Sequence, residues 1–182
     1  MKRLVLFAGL LLLAVYGTPA GAQTGRLIRE ESSLAYELVH PFHTIDATSK
    51  DVTYTLELDA AKKEIKRVEA QVDVTTFDSG NSNRDSHAME VIDALSFPDV
   101  KFVSSAIKQK GDSLRIAGSL TFHGVTKEII AAGVTQWSGD RLSVRGAFEL
   151  SMTAFNIERP SLLMIPVEDR LSFSFVAVFA LD

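Results

Sequence analysis

The sequence predicts an all-β domain of about eight antiparallel strands with one short helix inserted between them. Three observations carry this. Apolar residues recur at every second position over most of the chain, a 3.6-residue period appears in one place only, and turn-forming residues separate the alternating runs.

The elements follow in chain order. Lys2 and Arg3 precede an apolar run, Leu4–Tyr16, and the small residues Ala20-Gly21-Ala22. This is the pattern of a secretory signal peptide cleaved after Ala22, and the run is too short for the ~20 residues a spanning helix needs. Residues 1–22 are therefore expected to be a signal peptide and residues 23–182 a single mature domain. A first strand is expected near Ser33–Val39. Val52, Tyr54, Leu56 and Leu58 alternate with Thr53, Thr55 and Glu57 in a second strand, and Val68, Ala70, Val72 and Val74 do so in a third.

The helical period follows, over Ser82–Leu95. Ser82 with Asp85 three residues on reads as a capping box, Met89, Ile92 and Leu95 fall on one face, and Pro98 stops the helix. Strands then run near Val100–Ile107, over Leu114–Phe122, near Lys127–Val134, over Leu142–Leu150 and from Leu171 to Leu181. Lys110-Gly111-Asp112, His123-Gly124 and Ser138-Gly139-Asp140 supply hairpin turns. Each strand has one polar and one apolar face, as antiparallel sheets do. A packed sandwich and a barrel enclosing a ligand both fit that pattern.

Composition narrows the function. Removing Lys2 and Arg3 from 19 basic residues leaves 17 against 23 acidic ones. This balance, with no basic cluster, argues against nucleic acid and anionic membrane surfaces. The chain has no Cys, so disulfides and thiolate metal sites are excluded. Glycine loops that cradle phosphates and dinucleotide fingerprints are absent, so no cofactor is expected.

Two polar clusters remain. Asn83-Arg84-Asp85-Ser86-His87 opens the helix. Gly80 to Arg84 imitates part of a G-x-S-x-G nucleophile elbow, but Arg84 stands at the second glycine, so Ser82 reads as a cap rather than a nucleophile. His40-Pro41-Phe42-His43 invites a metal reading completed by Asp46, His87 or His123. A closed site needs about four ligands and a catalytic one about three plus water, whereas the pattern specifies two at most. These histidines are expected to be loop residues at a barrel rim, with no metal and no catalytic residue. A His-dependent metal site or metal-assisted enzyme using His40 and His43 is the alternative, and a packed structural domain acting through its surface is a third reading.

Residues 72–105, VDVTTFDSGNSNRDSHAMEVIDALSFPDVKFVSS, resemble the central signature of the YceI-like family. The resemblance lies in Thr75-Thr76, in Asn83-Arg84-Asp85 with His87, in Phe97-Pro98, and in Phe102 with Ser104. LTFHGVTKEI, with Leu120, Thr121, Gly124, Val125, Thr126 and Lys127, is similar to the family's second block. This resemblance implies an eight-stranded, lipocalin-like barrel in a periplasmic or secreted protein that binds a polyisoprenoid chain in an apolar tunnel. Such a barrel would turn Tyr54, Leu56, Val72, Val74, Phe102, Leu120, Phe122, Val144 and Phe148 inward, with Met89 and Ile92 capping the tunnel. His40, His43, Asn83, Arg84, Asp85 and His87 would form a polar rim. The implied partner is an isoprenoid or other long-chain lipid, with no nucleic acid and no stable membrane insertion; a homodimer is left open.

Overall fold

Alternating apolar residues become strands because each then buries one face while its backbone pairs on both sides. The computed structural model describes residues 23–181, so the expected signal peptide, residues 1–22, lies outside the described residues. Two short strands, β1 (Gln23–Thr24) and β2 (Arg26–Leu27), are followed by β3 (Ser33–His40), β4 (His43–Ser49), β5 (Val52–Asp59) and β6 (Glu64–Asp73). Helix α1 (Ser82–Val91) separates these from β7 (Asp99–Lys110), β8 (Ser113–Phe122), β9 (Val125–Ser138) and β10 (Arg141–Ser151). A hairpin of β11 (Ser161–Leu162) and β12 (Ile165–Pro166) precedes the last strand, β13 (Arg170–Ala180).

One antiparallel sheet of eleven strands takes all but β11 and β12, in the order β1-β5-β6-β7-β8-β9-β10-β13-β3-β4, with β2 also paired to β13. It curls into a half-barrel with a single enclosed face, so the sandwich alternative does not hold. The strand count departs from the expected eight. One of the added strands is β4, where Pro41 and a polar sequence hid a strand whose inward residues are only Ile45, Ala47 and Ser49. The N-terminal segment accounts for more of it. Gln23 pairs with Leu58 of β5 while Leu27 pairs with Phe179 of β13, so residues 23–27 bridge two strands that lie far apart in the sheet order.

Register is adjusted where the sheet bends. In β7 the inward positions run Val100, Phe102 and Ser104, then resume at Ile107 after an irregularity between Ser104 and Ala106. The extra residue of a bulge resets the alternation and tightens the curl. Gly146 of β10 serves the same curvature differently. A Cβ there would lie 2.5 Å from Cζ of Phe175 on β13 and 2.6 Å from the Ala132 carbonyl, so the missing side chain makes room for an inward ring.

The helix is shorter than its sequence period suggested. It ends at Val91, and Asp93 turns the chain with φ 46°. Leu95, expected on the buried face, is instead almost fully exposed. After β10 a 3-10 turn, Thr153–Phe155, is held by Asp169, whose carboxylate accepts from Ser151 Oγ at 2.6 Å and from the Thr153 N–H at 2.9 Å. The Ser151 bond first, and the Thr153 N–H next, hold the Asp169 carboxyl below the usual carboxylate range.

Candidate functional site

Inward side chains of the half-barrel form two packed clusters. Val52, Leu56, Leu58, Ile65, Leu114, Leu142 and Phe179 fill the end where residues 23–27 cross. Leu38, Val74, Leu120, Phe122, Phe155, Ile157 and Val167 pack beneath α1. Between them the interior is not full. A cavity of about 210 Å³ runs along residues of both clusters. One water needs ~10–15 Å³ of such space, so the cavity suits a much larger guest.

The rings of Tyr36, Phe148, Phe173 and Phe175 stay partly exposed although they point inward, whereas Tyr54 is buried. Phe148 and Phe173 stack at 4.9 Å with planes 9° apart, Tyr36 meets Phe173 at 6.3 Å, and Tyr54 lies 6.4 Å from Phe175. A packed core would have covered the four partly exposed rings as it covers Tyr54. Among the lining residues, Tyr36, Tyr54, Gln71, Arg84, Asp85 and His87 carry the polar atoms. Tyr54 donates to the Ser33 carbonyl at 3.0 Å, and burial pushes its phenol up, so it is neutral at all physiological pH. Burial likewise raises the Tyr36 phenol, with the charges of Asp85 and Asp46 adding to the rise and Arg84 opposing it. The site therefore has an apolar length and one polar patch, where α1 meets β3.

That patch is built from the loop before the helix. Arg84 donates through Nε to Ser79 Oγ at 2.9 Å and through Nη2 to the Ser79 carbonyl at 2.6 Å. Ser79 in turn donates its N–H and hydroxyl to Asp85 Oδ1. Asn81, not Ser82, is the N-cap: its side-chain oxygen accepts from the N–H groups of Asn83 at 3.1 Å and Arg84 at 3.2 Å. The expected capping box fails because Asp85 is occupied by Ser79. The signal was present in the sequence, since Asn is as good a cap as Ser. Accordingly, Asn81→Ala is expected to cost about 0.5–2 kcal/mol and Ser82→Ala nearly nothing, read from denaturant midpoints.

All eleven residues expected to face a tunnel line the cavity: Tyr54, Leu56, Val72, Val74, Met89, Ile92, Phe102, Leu120, Phe122, Val144 and Phe148. Val74 does so from a 3-10 turn rather than a strand. Of the expected rim, Arg84, Asp85 and His87 border the cavity, with His87 largely in solvent and 3.8 Å from Glu90. Asn83, His40 and His43 do not.

His40 corrects the rim assignment most clearly. It is only 3% exposed; Nδ1 accepts from the Phe42 N–H at 3.3 Å, and Nε2 lies 3.0 Å from the Ile165 carbonyl. The tautomer that fits both contacts carries its proton on Nε2 and donates it to Ile165. His43 faces it across the β3–β4 turn with ring centroids 5.2 Å apart, but is itself exposed. Both nitrogens of His40 are committed, and among the described residues no three His, Cys, Asp or Glu side chains converge as a metal set would require.

A family profile described as a YceI-like domain matches residues 26–179. A UPF0312 protein of Pseudomonas savastanoi pv. phaseolicola is 30% identical over 154 residues, covering 80% of this chain and 77% of the relative. Another, from Pseudomonas fluorescens, is 30% identical over 165 residues, covering 86% and 83%. In fold, the chain is similar to Burkholderia cenocepacia BcnA, with TM-score 0.76, 21% identity and coverage of 84% of this chain and 98% of that one. It is also similar to a polyisoprenoid binding domain from Saccharophagus degradans, with TM-score 0.64, 10% identity and coverage of 89% and 100%.

Proposed function

The chain belongs to the family of YceI-like domains, and on that premise we propose that it binds an amphipathic lipid of isoprenoid type, an isoprenoid quinone or polyprenyl chain, in the cavity of its half-barrel. The observation that carries this is the cavity itself: it spans both clusters, is walled mostly by apolar and aromatic side chains, and has Arg84 and Asp85 gathered beside Tyr36. Burying ten methylenes there would contribute roughly 8 kcal/mol, the scale of a micromolar Kd before ordering costs. Such binding needs no catalytic group, and the protein carries or sequesters its lipid rather than transforming it. The fold's likeness to a domain named for polyisoprenoid binding supports the same reading. The place of action we propose is the periplasm or the exterior, after removal of residues 1–22; a mature protein beginning at Gln23 is the matching mass result.

A fluorescent isoprenoid titrated into the delipidated protein is expected to saturate at one site with a micromolar or tighter Kd. Linear, unsaturable uptake would overturn the proposal.

A further inference from the structure

Five large apolar side chains stand in solvent beside the cavity's α1 end: Phe42 (62% exposed), Leu162 (47%), Leu163 (76%), Met164 (95%) and Ile165 (37%). They form one patch. The Phe42 ring lies 5.2 Å from that of His40, and His40 bonds the Ile165 carbonyl. The segment Pro160–Val167, PSLLMIPV, carries no charge at all.

Its turn is unusual for these residues. Leu162 pairs with Ile165, leaving Leu163 and Met164 as a two-residue loop with φ 53° and 65°. Hairpin turns of this kind favour Asn-Gly, because large L side chains avoid left-handed backbone. Here the disfavoured conformation aims two large apolar side chains straight outward. It is held from below: the Val167 N–H donates to the Pro160 carbonyl at 2.9 Å, Arg159 Nε donates to the Val167 carbonyl at 2.8 Å, and buried His40 holds Ile165. The tip also adjoins the α1 end, where the cavity lining reaches solvent at exposed His87 and forms its mouth: Pro160 lines the cavity too, and Val167 shares a packed cluster with Ala94 after α1.

A convex tip of five side chains falls short of the ~800 Å² per partner that a stable protein interface covers. It also lacks the charges that would select a partner. A lipid bilayer needs neither a matching shape nor a large area, and takes apolar protrusions directly. We propose that this tip is a membrane contact: Leu163 and Met164 insert into the interfacial layer of a bilayer and hold the cavity mouth against it, so that lipid passes between membrane and cavity without crossing water. The transfer role rests on the lipid-binding reading above; the contact can be measured without it.

The test is the double variant L163N/M164G, which gives the turn its preferred residues and so should fold at least as well. Wild type is expected to co-sediment with neutral phosphatidylcholine vesicles, and the variant's partition to fall at least tenfold. Transfer of a fluorescent isoprenoid from those vesicles should slow at least tenfold, while affinity for the same probe presented in detergent stays unchanged. Equal partition of both proteins, no vesicle binding by wild type, or a wild-type homodimer that the variant dissolves would each overturn the membrane contact. Vesicle binding that the variant abolishes, with no probe bound from detergent by either protein, would uphold the contact and overturn the lipid-binding reading instead.

Discussion

Phe173→Asp is expected to abolish isoprenoid binding, by at least about 100-fold or roughly 2.7 kcal/mol, while leaving the half-barrel folded. Leu56→Asp, also inward and also lining the cavity, is expected to unfold it. The difference lies in what surrounds each side chain. Leu56 is 1% exposed and packed among Val52, Leu58 and Ile65. Losing its side chain costs about 2–5 kcal/mol, and an unpaired carboxylate there adds several more. Together these reach into the ~5–15 kcal/mol by which domains are stable. Phe173 is only partly buried and borders the cavity, stacked on Phe148. Water entering the cavity can hydrate a carboxylate there, so the folding cost is limited mainly to lost ring packing, about 1.5–3 kcal/mol. The same hydrated charge would meet any lipid chain in the cavity. Thermal melts and probe titrations of both variants separate the outcomes, and a Phe173→Asp protein as unfolded as Leu56→Asp would show that the cavity is only a packing gap.

Gly146→Val is the second large effect. The new side chain would press on the Phe175 ring from one side and on the Ala132 backbone from the other. The carbonyl cannot retreat without opening the pairing of β9 and β10, in which Gly146 faces Gly133. The ring must therefore swing toward the cavity. Overpacking of this kind costs about 1–3 kcal/mol, and here it should also narrow the binding space and weaken probe uptake. Ala147→Val, the next residue but on the outer face, is the control and should be close to neutral in a denaturant midpoint.

Much of this architecture was legible in the sequence because alternation is a local signal. Leu142, Val144, Gly146, Phe148 and Leu150 read as one inward face and form one. What Gly146 is for was not legible, since the ring it accommodates belongs to another strand. β4 escaped notice because its inward apolar residues are only Ile45 and Ala47. His40 passed for a loop residue because its partner, Ile165, lies 125 positions away. The polar patch was half visible: Arg84 and Asp85 stood out, whereas Ser79, which joins them, looked like an ordinary loop serine. Hollow and packed interiors produce the same alternation, so a cavity in particular cannot be read from it. Its presence depends on how side-chain volumes sum across strands distant in sequence.

The cavity is proposed to hold an isoprenoid lipid. Mass spectrometry of an organic extract of the purified, folded protein tests it most directly. The expected result is a molecule with a repeating isoprenoid chain, present at close to one per protein. A folded protein whose extract holds no lipid, and which takes up none when a fluorescent isoprenoid is supplied, would contradict it.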